Sequence, residues 1–289
     1  HYRRIIMASV ILFIKKSVSW ILVLVSFFGS FFTGKPQEKI EGFELVKSYE
    51  YSLDKGMSFA QGIATDGEYF YGFGAIKVAS YNAITKIDAK TGEIVAMNEM
   101  CIPPYLMNKG YSHLGDGCCY KGRLYIGCED RNFENPAVMI YDAETLEFIE
   151  SKIIPAECKG DGHLPWCTVC DDVLYFCSFS FVEEIKMLDI NDNCSYIGSI
   201  PIDTMLHCVQ GGDIVDGILY LSSDDGEQYK PTYKIDLATG KTETFCMRDT
   251  GSKSTEAEGL TVYPFDDGTN FHYVDCTTTI TVRNYKVDM

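Results

Sequence analysis

The chain has 289 residues, of which 46% are apolar and 23% are charged, and this is the composition of a globular protein with ample material for a core. Nine prolines and the absence of any low-complexity run argue against long disordered regions. The formal net charge of −16 disfavours nucleic acid and anionic lipid surfaces as partners.

The first 34 residues form a separate segment. Arg3, Arg4, Lys15 and Lys16 precede an uncharged, largely apolar run at residues 17–34. A basic start followed by about 18 apolar residues is typical of a signal peptide or a signal-anchor helix. A buried helix of the folded domain is the alternative. We therefore expect an extracytoplasmic protein, secreted or anchored, that contacts the membrane only through this segment, with residues 35–42 as a linker.

The remainder of the chain contains a repeated turn. Four segments join an apolar-Asp step to a polar or Gly-containing turn and then to a new strand. Their aspartates are Asp88, Asp142, Asp189 and Asp236, separated by 54, 47 and 47 residues. An Asp side chain accepts hydrogen bonds from the turn that follows it. The repeat therefore predicts a series of similar strand–turn–strand units.

A second repeated feature precedes each of these turns. Tight turns enter aromatic-rich strands at residues 66–72, 121–127, 171–177 and 216–222, and a fifth lies at 267–274. Five such units over residues 43–289 predict an all-β fold, a five-bladed β-propeller of four-stranded antiparallel blades. A β-sandwich is the alternative, but it does not require five equal units.

The two ends of this domain predict how the ring closes. The fifth unit ends one strand short after residues 280–287, and residues 43–51 form a spare strand ahead of the first unit. If the N-terminal strand completes the fifth blade, the ring has no open sheet edge at that point. We therefore expect a closed domain that is a monomer.

Three of the five histidines occupy one position of the repeat. His113 and His163 each precede the Leu of the Leu-Tyr step by 11 residues, and His207 precedes it by 12. Equivalent positions in a propeller converge at one mouth of the central channel. The sequence therefore predicts that these histidines meet there, and that a small molecule or peptide binds beside them.

Other polar residues lie near this position of the repeat. We expect Glu258 and His113 to be catalytic. The expected ligand-binding residues are Gln61, Asp116, Trp166, Gln210 and Glu256. Three imidazoles and a carboxylate are suitable ligands for a divalent metal, Zn²⁺ or Ca²⁺, with His113, His163 and His207 as its ligands. The same groups are equally suited to acid–base chemistry without metal, or each His simply satisfies a backbone group.

The twelve cysteines allow two interpretations. In an exported protein, several disulfides are the usual arrangement, and their pairing does not follow from the sequence. In a cell without oxidative folding, most would be buried thiols, and several fall inside predicted strands. Cys167 and Cys170 have the spacing of a zinc ligand pair, but no second such pair follows.

The first unit, residues 58–95, resembles the first blade of the plant and bacterial type of glutaminyl cyclotransferase. The resemblance lies in Phe59-Ala-Gln-Gly-Ile63 and in the turn Lys86-Ile-Asp-Ala-Lys-Thr-Gly92. It implies a secreted five-bladed propeller that cyclises N-terminal glutamine, and it carries over one residue, Gln61. The three histidines have no counterpart in that resemblance, and Glu256-Ala-Glu-Gly-Leu260 is more similar to gluconolactonase-type propellers.

Three functions remain open on this evidence. As an enzyme, the protein would hydrolyse a lactone or ester or cyclise glutamine at the channel mouth. As a binding module, it would hold a peptide or glycan there without turnover. As a structural protein, it would use the mouth only to bind an ion that fixes the blades. The sequence lacks the serine elbow, Walker, Rossmann and haem-attachment motifs, so we expect no organic cofactor.

Overall fold

The computed structural model describes residues 42–52, 59–75 and 82–288. Over these residues 20 strands form five four-stranded antiparallel sheets. The predicted signal or anchor segment at residues 1–34 and most of the predicted linker lie outside the described residues. Within them, no helix has the length and apolar character needed to cross a membrane.

The five sheets are the predicted blades, and blades 1 to 4 are each built from four consecutive strands. Blade 1 comprises β2 (Gly62–Thr65), β3 (Tyr69–Ala75), β4 (Asn82–Asp88) and β5 (Ile94–Asn98). Blade 2 comprises β6 (Tyr111–Tyr120), β7 (Arg123–Asp130), β8 (Ala137–Asp142) and β9 (Phe148–Ile153). Blade 3 comprises β10 (Thr168–Cys170), β11 (Val173–Phe176), β12 (Val182–Asp189) and β13 (Ser195–Leu206).

Blade 4 comprises β14 (Val209–Val215), β15 (Ile218–Ser223), β16 (Tyr229–Asp236) and β17 (Thr242–Asp249). Blade 5 comprises β18 (Glu256–Val262), β19 (Phe271–Cys276), β20 (Thr279–Val287) and the N-terminal strand β1 (Phe43–Ser52). A single turn of helix, α1 (Pro104–Met107), lies between blades 1 and 2. The five-bladed all-β fold predicted from the repeat is confirmed.

The N-terminal strand closes the ring as predicted. β1 pairs antiparallel with β20, from Phe43 opposite Val287 to Ser52 opposite Thr279. The hydroxyl of Tyr49 also donates to backbone carbonyls of the turn in blade 1. A Cβ at Gly92 in that turn, where φ is +75°, would lie 2.4 Å from the Tyr49 ring. Glycine is therefore required where the closing strand meets the first blade.

The repeated aspartates have the expected local role. Asp88, Asp142 and Asp236 each accept backbone N–H groups from the residues two and three positions later. Asp189 accepts from the residue two positions later. These bonds satisfy the turn amides between the third and fourth strands of blades 1–4. The sequence repeat is thus a repeat of one hydrogen-bonded turn.

The apolar core is divided among the interfaces between blades. Five clusters of buried side chains join blade 1 to 2, 2 to 3, 3 to 4, 4 to 5 and 5 to 1. Trp166, one of the predicted ligand-binding residues, is fully buried in the cluster between blades 3 and 4. Packing between blades holds the ring together, so the inner strands meet at a fixed centre.

None of the twelve cysteines, all of which lie in the described residues, is part of a disulfide. Eight of them are buried and four are half-buried. Burial raises the pKa of Cys101 and Cys177 to about 12, so these thiols are unreactive. Of the two interpretations of the cysteines, the structure therefore supports buried thiols that serve as small apolar residues.

Candidate functional site

Asp116 ties the five blades together at the centre of the ring. Its Oδ1 accepts the N–H of Ile63 at 2.8 Å, and its Oδ2 accepts those of Gly212 at 3.2 Å and Leu260 at 3.1 Å. Its own N–H donates to the carbonyl of Pro165 at 2.7 Å. These partners belong to blades 1, 4 and 5 and to the segment entering blade 3. Asp116 of blade 2 therefore links the backbone of all five blades through hydrogen bonds at the centre of the ring.

The backbone of blades 1, 4 and 5 lies so close to Asp116 that only glycine fits at the points of contact. A Cβ at Gly62, Gly211 or Gly259 would lie 2.6 Å from an atom of Asp116. Burial raises the pKa of Asp116 well above its ordinary value, and its bonds with the backbone amides oppose the rise. Although Asp116 was predicted to bind ligand, its carboxylate is fully buried and its oxygens are used by the backbone.

Four polar side chains form a hydrogen-bonded row at one mouth, which we call the polar row: Glu258, Gln61, His113 and Glu129. The amide nitrogen of Gln61 donates to Oε1 of Glu258 at 3.2 Å, and Oε1 of Gln61 lies 2.8 Å from Nε2 of His113. Nδ1 of His113 lies 3.1 Å from Oε2 of Glu129. The row thus crosses from blade 5 through blade 1 to blade 2.

Glu129 is the shared partner of two histidines. Its Oε1 lies 3.2 Å from Nδ1 of His163 and accepts the N–H of Leu164 at 2.9 Å. Burial opposes ionisation of Glu129, but the hydrogen bonds and charges of His113 and His163 outweigh it and lower its pKa to about 2. Burial likewise opposes protonation of His163, but the bond with Glu129 raises its pKa above 6.5. The mouth therefore holds a carboxylate between two imidazoles.

Glu258 lies behind Gln61 and is not open to solvent. Its exposed fraction is 2%, whereas the His113 side chain is 42% exposed. Both residues were predicted to be catalytic, and of the two only His113 is accessible to solvent. Glu258 is placed to fix the orientation of the Gln61 amide, since the two are hydrogen-bonded.

His207 lies outside this network. Its Nδ1 accepts the N–H of Phe181 at 3.4 Å, and its ring packs edge-on against the Phe181 ring at 5.0 Å between centroids. The register predicted that three histidines meet, and the structure brings together His113 and His163. The third differs because the loop between β11 and β12 presents Phe181 to His207.

The other predicted ligand-binding residues have different environments. Trp166 donates its indole N–H to the Cys177 sulfur at 3.2 Å inside the core. Gln210 lies in β14 and Glu256 begins β18, and both are half-buried. These two therefore remain candidates for contact with a ligand.

A metal site is not preassembled in the part of the chain that the structure describes. No three His, Cys, Asp or Glu side chains there are grouped so that they could hold a metal ion. Nδ1 of His113 and Nδ1 of His163 face Glu129, and Nε2 of His113 faces Gln61. The predicted ligand set of three histidines is not assembled in this arrangement, because His207 lies against Phe181 instead.

Two acidic residues of the mouth were missed in the sequence. Glu129 and Asp224 both lie five positions after the Leu of the Leu-Tyr step, at Leu124 and Leu219. Asp224 accepts the N–H of Ala257 at 2.8 Å and pairs with the buried Lys230 at 2.9 Å. The signal for both in the sequence is an acidic residue at the same position of the repeat in blades 2 and 4.

Comparison with known proteins identifies the fold. No protein-family model and no curated protein matches the sequence. Among solved structures, the glutaminyl cyclase of Myxococcus xanthus aligns with a TM-score of 0.62 and 10% identity, over 85% of this chain and 96% of that one.

Two further structures align less well. The hydrazine synthase of Kuenenia stuttgartiensis gives a TM-score of 0.44 at 11% identity, over 84% of this chain and 59% of that one. The computationally designed Ika4 protein gives 0.33 at 13% identity, over 61% and 91%. At 10% identity, the alignment with the Myxococcus enzyme establishes the fold alone. The chain has the five-bladed β-propeller fold seen in the Myxococcus glutaminyl cyclase, as the resemblance of its first blade predicted.

Proposed function

We propose that this chain is an enzyme that transfers the acyl group of a small amide or ester at the mouth of the propeller. The polar row is the observation that carries the proposal. A carboxylate that holds one nitrogen of a partly exposed imidazole, while an amide oxygen lies at the other nitrogen, is an arrangement suited to proton transfer. Glu129 and His113 supply these two parts.

The hydrogen bonds around His113 indicate how it would act. Gln61 gives its amide N–H to Glu258 and therefore turns its oxygen toward Nε2 of His113. Nδ1 of His113 faces the ionised carboxylate of Glu129. With an acceptor facing each nitrogen, the imidazole can donate a hydrogen bond at Nε2. His113 is therefore suited to protonate a leaving group.

Cyclisation of an N-terminal glutamine is the reaction that we propose first. The α-amine nitrogen would attack the carbonyl carbon of the side-chain amide, and a new C–N bond would form. His113 would protonate the departing nitrogen as the original C–N bond breaks and ammonia leaves. The proton lost by the attacking amine would then return to His113. Gln61, the residue carried over from the resemblance, and the fold shared with a glutaminyl cyclase support this choice.

Lactone or ester hydrolysis is the second reaction of the same site. Water would replace the α-amine as the attacking group, and His113 would protonate an alcohol rather than an amine. The Glu256-Ala-Glu-Gly-Leu260 segment, which is similar to gluconolactonase-type propellers, favours this reaction. Glu258 would act through Gln61 in either case and is a positioning residue.

The alternative to an enzyme is a module that binds a peptide or glycan without turnover. Exposed aromatic side chains at the mouth favour it, because Phe133 and Phe181 present ring surface to solvent. Binding without product formation would distinguish this function from catalysis.

The experiment is a turnover assay on the full chain with peptides that begin with glutamine and, separately, with a panel of lactones and esters. Ammonia release and the mass of the product report cyclisation. His113→Ala should lower kcat by about 10²- to 10⁴-fold if the residue transfers a proton. Ile153→Ala is the control, because this side chain is 59% exposed on the outer strand β9, away from the polar row. Absence of turnover on both panels would refute the enzyme proposal.

A further inference from the structure

The half of the mouth opposite Glu258 is lined by aromatic rings, which we call the aromatic arc: Phe133, His163, Phe179, Phe181 and His207. The rings of Phe133 and His163 lie 4.1 Å apart at 36°, and Phe179 lies 6.1 Å from His163. Phe181 packs on His207 at 5.0 Å. The arc spans blades 2 to 4 and adjoins the polar row, because Glu129 binds both His113 and His163.

Two members of the aromatic arc are unusually exposed for their size. Phe181 is 67% exposed and Phe133 is 40% exposed. Both have left-handed backbone conformations, with φ of 56° and 57°. A residue with a bulky side chain adopts this conformation at a cost in free energy, and such strain is concentrated at functional sites. The two phenylalanines lie in equivalent loops of neighbouring blades, between the second and third strands, and both present ring surface to solvent.

The conformation of Phe133 is fixed by its surroundings. The carboxylate of Asp130 accepts the N–H groups of Asn132, Glu134 and Asn135, which brackets Phe133 in one loop. The carbonyl of Phe133 lies where a Cβ at Gly162 would otherwise be, at 1.7 Å from that position. The loop thus holds the Phe133 ring against His163 before any ligand arrives.

We propose that the aromatic arc binds an aromatic side chain of a peptide whose N-terminal residue lies at the polar row. This inference rests on the proposed function, since it assigns the two halves of one mouth to successive parts of one substrate. Exposed ring faces favour another aromatic ring through stacked or edge-on contacts. Preorganised rings also reduce the entropy lost on binding.

Other ligands fit this surface less well. A sugar needs hydrogen-bond partners for its hydroxyls, and the phenylalanine rings that make up most of the aromatic arc offer none. A lysine or arginine side chain would approach His163, which its bond with Glu129 favours in the charged form. An uncharged aromatic ring avoids both difficulties.

The test compares the turnover of two tripeptide amides, Gln-Phe-Ala and Gln-Ala-Ala, by the full chain. Binding is measured separately with Ala-Phe-Ala and Ala-Ala-Ala amides, which cannot cyclise. The Phe peptides should bind about tenfold more tightly than the Ala peptides. Phe181→Ala should abolish this preference and Phe181→Tyr should retain it. Ile153→Ala is the matched control, because this residue is 59% exposed on the outer strand β9, away from the mouth.

The outcomes separate this inference from the proposed function. Equal binding of the Phe and Ala peptides would overturn the inference even if glutamine peptides are turned over. A Phe preference that Phe181→Ala abolishes, without turnover, would support the inference and refute the enzyme. A larger preference for a Lys peptide or an oligosaccharide than for the Phe peptide would also overturn it.

Discussion

Nδ1 of His113 lies 3.1 Å from Oε2 of Glu129, and the two residues are direct partners in the pairing of β6 with β7. The rigid inner strands of blade 2 therefore hold the imidazole and the carboxylate at a fixed separation. Because both residues lie on strands, neither depends on a loop for its position. This pair is the part of the mouth best suited to transfer protons repeatedly.

Replacing Glu129 with glutamine should remove most of the activity under the proposed function. A glutamine amide cannot stabilise the charged imidazole, and its NH₂ group favours the wrong tautomer of His113. We expect kcat to fall by about 10²- to 10⁴-fold, as for other carboxylates that orient a catalytic histidine. Steady-state kinetics with the preferred substrate measures this change.

The control for this variant is Glu157→Gln, which neutralises an exposed carboxylate away from the polar row. It should leave kcat unchanged. Circular dichroism of both variants checks that the fold is retained. If Glu129→Gln is folded and has the same kcat as the control, Glu129 does not orient a catalytic histidine.

The sequence predicted the scaffold well because its signals are local. Each blade carries a turn whose Asp bonds to residues only two or three positions away, so the turn is visible in a short window. The closing strand at residues 43–51 followed from counting strands, and β1 extends it by one residue. Its register against β20 required the structure.

The site was predicted less completely because its contacts are distant in sequence. An acidic residue such as Asp116 at this position of the repeat is typical of a ligand-binding site. Its actual partners are backbone amides that lie 53, 96 and 144 positions away in the sequence. Glu129 was overlooked because an acidic residue at a strand end usually lies in solvent. The partner of His207 depends on the conformation of the loop that carries Phe181, which no repeat encodes.

The stability of the fold should depend on pH through Glu129 and His163. The pKa of Glu129 is lowered from 4.5 to about 2, so its ionised form stabilises the folded state above 4.5, and this contribution is lost as the pH falls toward 2. The pKa of His163 is raised above 6.5, so its protonated form stabilises the folded state below 6.5, and this contribution is lost as the pH rises through the raised value. Both are present between pH 4.5 and 6.5.

Urea unfolding of the wild type and of His163→Ala measures the pH effect. The free energy of unfolding should differ more between the two proteins near about pH 5.5 than near about pH 8.5, since the charge attraction to Glu129 requires the protonated imidazole. A difference that is the same at both pH values would show that His163 contributes through packing alone.

Replacing Asp116 with alanine should strongly destabilise the propeller. The N–H groups of Ile63, Gly212 and Leu260 would lose their acceptor in a buried place, at about 1–3 kcal/mol each. We therefore expect the free energy of unfolding to fall by at least about 3 kcal/mol. Urea denaturation measures it, with the exposed Asp192→Ala as the control.

A second substitution tests the packing around Asp116 without removing its carboxyl group. Gly62→Ala leaves the carboxylate in place but puts a Cβ 2.6 Å from the Cα of Asp116. It should also destabilise the fold, by about 1–3 kcal/mol, because a packed centre resists overfilling. If both variants unfold at the same urea concentration as Asp192→Ala, Asp116 does not hold the blades together.

Arg248 of blade 4 and Asp275 of blade 5 form a buried ion pair. Removing one partner should destabilise the fold about as much as Asp116→Ala. Asp275 accepts two hydrogen bonds of 2.9 Å from the guanidinium of Arg248 and one of 2.9 Å from Nε of Arg283. Arg248 is fully buried and lies 3.8 Å from the centre of the Tyr273 ring. Asp275→Asn would leave the charge of Arg248 unpaired, and we expect the free energy of unfolding to fall by about 3–5 kcal/mol.

Two further variants test whether the unpaired charge is the cause. Lys241→Ala removes an exposed partner of Glu243, and surface pairs of this kind contribute little to stability. The double variant Arg248→Met and Asp275→Asn removes the buried positive charge of Arg248 together with its partner. It should therefore be more stable than Asp275→Asn alone, because the destabilisation comes from an uncompensated buried charge rather than from lost contacts. A double variant that is less stable than the single one would show that Arg248 stabilises the interface by packing on Tyr273.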